Sequence, residues 1–222
     1  MIINSKKKYS PKSLSEFVFP NDEARELVYA YASGEMEDPL ILHGTSGTGK
    51  SLLQRLIPNA IEGTEAKIDQ VKCADLKTAS DIHDLYGRNR NFDLMFREND
   101  RFNYKVIEEF LITNQRMSDA LKIEWERTSG VTLTLISTNR FDKIDAGLLS
   151  RAETLELLPC EPRVFLPHAK RIFEGEGVDI ADSTLLKCLE VTYVKWRDNR
   201  KYYQAIDAML RQVGYPRSAM AA

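Results

Sequence analysis

Two short stretches of the chain carry residues whose types and spacing suit phosphate chemistry. The first, GTSGTGKS at residues 44–51, fits the pattern G-x-x-x-x-G-K-[S/T]. Glycines let such a loop bend so that its backbone N–H groups converge on phosphate oxygens, and the following helix favours anions at its N-terminus. Lys50 is predicted to reach the β- and γ-phosphates of a nucleotide, and Ser51 to bind Mg²⁺. The predicted phosphate-binding residues are Gly44, Thr45, Ser46, Gly47, Thr48, Gly49, Lys50 and Ser51.

The second stretch is the acidic pair Glu108–Glu109, which ends the apolar run YKVI. Taken alone, two adjacent glutamates leave two interpretations open. They are an exposed face of a helix, or they are carboxylates that hold a metal ion and orient a water molecule. The choice depends on which other residues stand at fixed distances along the chain.

Hydrophobic patterns around these stretches predict strands that alternate with helices. One helix begins after an N-cap at Asn21 or Asp22, and another runs from about Lys50 to Ile57 and ends before Pro58. The predicted strands are, in chain order, PLILHG, KIDQVKCAD, YKVIEE, VTLTLISTN and ETLELLP.

A third helix is predicted from about Asn114 to Glu126. This alternation predicts an α/β fold with a mostly parallel sheet flanked by helices. Between Arg163 and Gln212 the pattern is helical throughout. We therefore predict a nucleotide-binding core over residues 1–160 and a small all-helical lid domain over residues 161–222.

The composition is that of a globular protein, with 43% hydrophobic and 29% charged residues. A formal net charge of −2 excludes a chain that is basic throughout, so any contact with nucleic acid has to be local. The scattered Cys73, Cys160 and Cys188 indicate buried reduced thiols and not a disulfide or zinc framework. No apolar run approaches the roughly 20 residues of a membrane span. We expect a cytoplasmic protein without membrane contact, or a nuclear one in a eukaryotic host.

From YSPKSLSEFVFP to DNRKYYQAIDAML the chain resembles the clamp-loader branch of the AAA+ ATPases, which includes the small subunits of replication factor C. The first of these segments is similar to the family's N-terminal segment, with Ser10 where an arginine is usual. VKCAD is similar to the strand that follows the phosphate loop in the family. The resemblance implies the P-loop (AAA+) fold with ATP and Mg²⁺ as ligands.

The resemblance also implies roles for individual residues. Glu109 stands at the catalytic glutamate that orients or deprotonates the attacking water, and Asn139, 30 residues later, at the sensor 1 position. Arg151, 12 residues beyond Asn139, resembles the arginine finger that reaches a neighbouring subunit's nucleotide. Arg200 resembles the sensor 2 arginine of the lid. Glu108 stands where a magnesium-binding aspartate is usual, and its extra methylene is expected to displace the carboxylate and slow hydrolysis.

We therefore expect an ATPase that is slow in isolation and resembles a clamp-loader subunit in DNA replication. Its expected partners are other AAA+ subunits, identical or different, together with a sliding clamp or helicase and primed DNA. The chain ends at Ala222, soon after the lid, so we expect no collar domain and only weak self-assembly.

Two other functions remain open. One is an ATP-gated adaptor or helicase-loader-like module with little or no intrinsic hydrolysis. The other, a P-loop kinase, is disfavoured because the sensor and finger positions match so well. An arginine-rich stretch upstream of YKVI is either a solvated loop or a local contact with the DNA backbone. Its arginines are Arg88, Arg90, Arg97 and Arg101.

Overall fold

The computed structural model describes residues 4–87, 101–112 and 114–214, which fall into two compact units. The sheet unit comprises Asn21–Gly44 and Gly49–Leu157. The helical unit comprises the residues up to Pro20, Thr45–Thr48 and the residues from Leu158 onward. The change of unit after Leu157 lies close to the predicted boundary at residue 160.

The sheet unit is built on five parallel strands in the order β2-β3-β4-β1-β5. Every residue of the central strand β4 is buried, as expected for a parallel strand covered on both faces. This sheet confirms the predicted α/β fold. The strands are β1 (Leu40–His43), β2 (Ile68–Lys72), β3 (Asn103–Glu108), β4 (Thr132–Thr138) and β5 (Glu153–Glu156).

Helices connect the strands and flank the sheet, and further helices make up the other unit. In chain order the described helices are α1 (Ser5–Tyr9), α2 (Asp22–Ser33), α3 (Lys50–Glu62), α4 (Ala79–Gly87), α5 (Gln115–Arg127), α6 (Ala146–Leu149), α7 (Pro162–Gly175), α8 (Asp182–Trp196) and α9 (Asn199–Gly214). Asn21 caps α2 by accepting a hydrogen bond from Ala24 N, and Asn114 caps α5 by accepting one from Arg116 N. Both helix starts were predicted correctly.

The predicted end of α3 before Pro58 is wrong, because the helix continues through this proline to Glu62. Proline removes one backbone hydrogen bond from a helix and disfavours helical backbone at the preceding residue. Here Leu56, Ile57 and Pro58 are all buried, so the apolar face of the helix continues across the proline. Burial of these side chains outweighs the lost hydrogen bond.

The helical unit has its own core, in which α7, α8 and α9 pack together, and its described part contains no strand. Its central residues include Phe165, Phe173 and Leu189, all at most 2% exposed. The N-terminal segment up to Pro20 belongs to this unit, and the predicted division into a nucleotide-binding core and a lid at residue 160 stays a prediction. The segment joins the helical unit through packing, because Tyr9 and Val18 lie against the helical core. A membrane-spanning length of apolar helix is absent from the part of the chain that the structure describes.

Candidate nucleotide-binding site

The register of the sheet brings three predicted site elements to one edge of the sheet unit. His43 of β1 lies opposite Thr138 of β4, and Ile107 of β3 lies opposite Ile136 of β4. The phosphate loop leaves β1 directly after His43, Asn139 follows β4, and Glu108 ends β3. Neighbouring strands are about 4.8 Å apart, so these elements lie within two strand spacings. In open α/β sheets ligands bind at this carboxyl edge.

The phosphate loop, residues 44–51, bends at glycines whose backbone is left-handed. The φ angles are 122° at Gly44, 83° at Gly47 and 103° at Gly49, which is the N-cap residue of α3. A Cβ atom on Gly44 would lie 2.4 Å from the carbonyl oxygen of Leu157. This close approach excludes any residue with a side chain at position 44, so the glycine there is a geometric requirement.

Lys50 is buried at the start of α3, with 8% of its surface exposed. Its Nζ donates a hydrogen bond to the Gly44 carbonyl oxygen at 2.8 Å, so the side chain crosses the loop from one end to the other. Water is largely excluded there, which strengthens the attraction between the ammonium group and an anion. The position suits the predicted role in binding phosphate.

His43, immediately before the loop, is a packed strand residue. Its ring stacks on Phe141, with ring centroids 3.9 Å apart. Burial lowers the pKa of His43, and the nearby Lys50 charge lowers it further, although Glu156 acts in the opposite direction. His43 is therefore neutral at neutral pH and adds no positive charge to the loop.

The oxygen donors near the loop fit Mg²⁺. Ser51 lies exposed in the first turn of α3, and Glu108 is partly buried at the end of β3 opposite Lys72. Mg²⁺ typically takes one or two protein oxygens together with substrate phosphates and water. Within residues 4–87, 101–112 and 114–214 no cluster of three or more His, Cys, Asp or Glu could hold a metal alone. Ser51 and Glu108 would supply one or two of the protein oxygens that such a site needs.

Glu109 directly follows β3 and is exposed, with a left-handed backbone at φ 53°. The acidic pair thus lies at a strand end, and the interpretation as an exposed helix face is wrong. The next residue is fixed firmly, because Phe110 is 2% exposed and its N–H donates to the Ser137 oxygen at 2.8 Å. The strained backbone at Glu109 was not predicted from the sequence.

Asn139 lies exposed in the turn that follows β4. In the same turn the Arg140 N–H donates to the hydroxyl of Thr138 at 3.0 Å. Thr138 is the last residue of β4 and aligns with His43, so Asn139 lies next to the strand from which the phosphate loop starts. The role of Asn139 as a sensor of the γ-phosphate stays a prediction.

Arg151 follows α6 and is held by contacts away from the phosphate loop. Its Nε donates to the Glu126 carboxylate at 2.8 Å, and its Nη1 donates to the Gly147 oxygen at 3.0 Å. The side chains of Arg151 and Glu126 are 41% and 63% exposed. The structure therefore does not bring Arg151 to the edge where Lys50 and Glu108 lie.

In the helical unit, Arg200 lies beside the middle of the phosphate loop. A Cβ atom on Gly47 would lie 1.8 Å from Asp198 Oδ1 and 2.8 Å from Arg200 Nε. Asp198 accepts a hydrogen bond from the backbone N–H of Arg200 at 2.8 Å and pairs with its guanidinium at 3.2 Å. Gly47, Asp198 and Arg200 all belong to the helical unit, and the sensor 2 role of Arg200 stays a prediction.

Most of the predicted arginine-rich stretch, namely Arg88, Arg90 and Arg97, lies outside the described residues. Arg101 is described, and its Nη2 donates to the Gly34 oxygen at 3.0 Å while its backbone N–H donates to the Glu62 carboxylate at 2.9 Å. Its guanidinium therefore joins the end of α2 to the segment before β3, which is a structural role.

One buried amide at the site was not identified from the sequence. Gln54 of α3 is 1% exposed, and its Nε2 donates to Leu135 O of β4 at 2.9 Å and to Ile107 O of β3 at 3.3 Å. It thus connects the helix after the phosphate loop to the strands that carry Asn139 and Glu108. The only signal in the sequence is a polar residue adjacent to Leu53 on the apolar face of the helix.

Residues 40–160, more than half of the chain, match the family model described as "ATPase family associated with various cellular activities (AAA)". Replication factor C subunit 4 of Encephalitozoon cuniculi is 22% identical over 198 residues, which cover 89% of this chain and 63% of that protein. DNA polymerase III subunit gamma/tau of Mycoplasma pneumoniae is 22% identical over 209 residues, which cover 86% of this chain and 30% of that protein. The chain thus spans less than two thirds of the length of these relatives.

Solved structures show the same fold. A variant of Thermotoga maritima RuvB matches with a TM-score of 0.69 at 19% identity, over 92% of this chain and 67% of that one. Domain III of the Thermotoga maritima replication initiation protein DnaA matches with a TM-score of 0.62 at 18% identity, over 91% of this chain and 90% of that one. At these identities the likeness concerns the fold alone.

Proposed function

Because this chain belongs to the AAA family of ATPases, we propose that it binds Mg-ATP at residues 44–51 and hydrolyses it slowly, as a clamp-loader-like subunit. The observation that carries this proposal is the register of β1, β4 and β3. It aligns the phosphate loop, Asn139 and the acidic pair at one edge of the sheet. A phosphate-binding loop, a polar residue and carboxylates on three neighbouring strands suit the hydrolysis of a nucleoside triphosphate.

The binding residues are those that the loop and the end of β3 supply. Backbone N–H groups of the loop and Lys50 hold the phosphates, and Ser51 and Glu108 hold the metal. When bound, Mg-ATP supplies a γ-phosphoryl group whose negative charge the metal partly neutralises. Arg200, beside Gly47, contacts the same nucleotide from the lid.

Glu109 orients or deprotonates the water that attacks this phosphoryl group, with Asn139 beside it. Phosphoryl transfer depends mainly on placement and on electrostatic stabilisation. Glu108 is one methylene longer than the aspartate usual at its position, so its carboxylate would hold the metal less well placed than an aspartate would. Slow turnover in the isolated chain follows from that poorer placement.

Arg151 completes the site of a neighbouring subunit in this proposal. The ion pair of Arg151 with Glu126 does not prevent Arg151 from contacting a neighbouring nucleotide. Exposed ion pairs of this kind typically contribute only about 0–1 kcal/mol. A neighbouring γ-phosphate therefore competes easily with Glu126 for the guanidinium. An arginine supplied in this way accelerates phosphoryl transfer by roughly 10³ to 10⁵.

The role in DNA replication is supported by the names of the relatives. Subunits of replication factor C and of DNA polymerase III match between 86% and 89% of this chain. We propose that the chain acts with other AAA+ subunits on primed DNA, and that a sliding clamp or a helicase is the partner whose state the ATP cycle changes.

A second function, an ATP-gated adaptor with little or no hydrolysis, is favoured by two observations. Glu108 replaces the usual aspartate, and Arg151 is paired with Glu126 of its own chain. An adaptor needs the binding residues Lys50 and Ser51 but not Glu109. Its function would therefore survive the substitution Glu109→Gln.

Steady-state ATPase assays with and without primed DNA test the proposal and separate it from the adaptor. We expect turnover in the wild type, loss of turnover in Glu109→Gln and in Arg151→Ala, and partial recovery when the two variants are mixed. Recovery is expected because one variant keeps the arginine and the other keeps the glutamate. Lys143→Ala, an exposed basic residue near the same edge, serves as a control that should leave turnover unchanged.

Two results would contradict this account. ATP binding without turnover in the wild type would favour the adaptor. A strict monomer whose turnover is undiminished in Arg151→Ala would exclude action of Arg151 on a neighbouring subunit.

A further inference from the structure

The hydroxyl group of Thr138 connects the two turns that carry Glu109 and Asn139. Its Oγ1 donates a hydrogen bond to the Phe110 carbonyl oxygen at 2.8 Å and accepts one from the Arg140 N–H at 3.0 Å. Thr138 is 2% exposed and its bond to Phe110 is buried, so water is kept from that bond. One side chain thus fixes the residue after Glu109 and the residue after Asn139.

The conformation of Glu109 depends on how its neighbours are held. A left-handed backbone at a residue with a side chain costs about 1–2 kcal/mol and persists only where the surrounding structure enforces it. At φ 53°, Glu109 precedes Phe110, whose ring is buried and whose N–H bonds to Ser137 O. The Thr138 hydroxyl holds the remaining polar group of Phe110, its carbonyl oxygen.

We propose that Thr138 is a positioning residue for ATP hydrolysis, which sets the Glu109 carboxylate relative to Asn139 without touching the nucleotide. This inference rests on the proposed function, in which Glu109 and Asn139 act on the attacking water and the γ-phosphate. A misplacement of about 1 Å at a reacting centre can lower the rate roughly 100-fold.

The same geometry separates the positioning of the Glu109 carboxylate by Thr138 from the binding of the nucleotide. The contact that holds Lys50 across the phosphate loop runs to Gly44 and does not involve the Thr138 side chain. Removing the hydroxyl should therefore change the catalytic constant and leave nucleotide affinity as it is. A residue needed only for folding would not produce this split between kcat and affinity.

The decisive substitution is Thr138→Val, which keeps the shape of the side chain and removes the hydroxyl. We expect kcat to fall about 10- to 100-fold, since hydrolysis depends on placement, with the Kd for Mg-ATP unchanged within about twofold. Thr138→Ser keeps the hydroxyl and should restore most of the activity. Amide hydrogen exchange should accelerate at Arg140 in Thr138→Val, independently of any turnover.

The matched control lies four residues earlier in the same strand. Thr134 is 1% exposed, and its hydroxyl makes a hydrogen bond of 2.8 Å with the Tyr86 hydroxyl. Thr134→Val also removes a buried hydroxyl from β4 but lies away from both turns. It should shift the urea midpoint about as much as Thr138→Val and leave kcat unchanged.

The possible results are distinguishable. A selective loss of kcat in Thr138→Val, absent in Thr134→Val and rescued in Thr138→Ser, supports the inference. Equal kcat in Thr138→Val and wild type, or equal losses in both valine variants, overturns it while the proposed function stands. A wild type that binds Mg-ATP without any turnover overturns the proposed hydrolysis and this positioning role together.

Discussion

The phosphate loop and the acidic turn, residues 108–110, both need left-handed backbone, and they obtain it in different ways. The loop uses Gly44, Gly47 and Gly49, which adopt positive φ without steric cost. The acidic turn uses Glu109, which is strained at φ 53°. Its conformation relies on two hydrogen bonds between Phe110 and β4, in which the Phe110 N–H donates to Ser137 O and the Thr138 hydroxyl donates to Phe110 O. The comparison indicates that the conformation of the phosphate loop is encoded locally, whereas that of the acidic turn depends on tertiary contacts.

The largest effect is expected when the acidic turn loses its charge. Glu109→Gln keeps the size of the side chain but cannot accept a proton, so kcat should fall roughly 100- to 10,000-fold. The Kd for Mg-ATP should stay the same, because the loop is untouched. Single-turnover hydrolysis and titration calorimetry measure the two quantities. An equal loss of affinity would show that the two regions are not separable.

The reciprocal change is made in the loop. Lys50→Met keeps an apolar stem of similar length and removes the ammonium group. The affinity for Mg-ATP should fall roughly 10- to 100-fold, since a hydrogen bond to a charged group contributes about 1.5–3 kcal/mol. Fluorescence titration with a labelled ATP analogue measures this loss. Lys67→Ala, which removes an exposed lysine near β2, is the control and should bind like the wild type.

A steric test of the loop compares two left-handed glycines. At Gly44 a Cβ atom would meet the Leu157 carbonyl oxygen at 2.4 Å, whereas at Gly63 it would meet no atom within 4 Å. Gly44→Ala should therefore lower the free energy of unfolding by about 2 kcal/mol more than Gly63→Ala. Urea denaturation of both variants tests this difference. Equal losses would mean that strain in φ, and not the close approach, makes glycine necessary at position 44.

The smallest effect concerns strain at the acidic turn. Glu109→Gly and Glu109→Ala both remove the carboxylate, but only glycine also relieves the positive φ. Glu109→Gly should therefore be about 1 kcal/mol more stable than Glu109→Ala in thermal or urea unfolding, with both inactive. If alanine proved as stable as glycine, position 109 would not be strained in solution, and the contrast between the two regions would disappear.

Features encoded by neighbouring residues could be predicted from the sequence. The apolar runs identified all five strands, and the side chains of Asn21 and Asn114 identified the starts of two helices. The bend of the phosphate loop could be predicted for the same reason, because Gly44, Gly47 and Gly49 lie within eight consecutive residues. Because the strands are parallel, their carboxyl ends lie at the same edge of the sheet.

The features that could not be predicted from the sequence depend on distant parts of the chain. Pro58 ends a helix by local rules, but its burial keeps α3 intact to Glu62. The N-terminal segment joins the helical unit because Tyr9 and Val18 pack there, and nothing in its own sequence indicates that choice. In the sequence, Thr138 is an ordinary strand residue. Its hydrogen bond to Phe110, 28 positions earlier in the chain, depends on the fold.

The central claim is that the phosphate loop, the acidic turn and the residue after β4 act on one magnesium-bound triphosphate. A crystal structure of the Glu109→Gln variant with Mg-ATP tests it most directly, because this variant should trap the unhydrolysed nucleotide. We predict that Lys50 and Asn139 both contact the γ-phosphate, with Mg²⁺ bound to Ser51 and the Glu108 carboxylate nearby. A nucleotide bound elsewhere, or one whose γ-phosphate contacts Lys50 while Asn139 and Glu108 point away, would contradict the account.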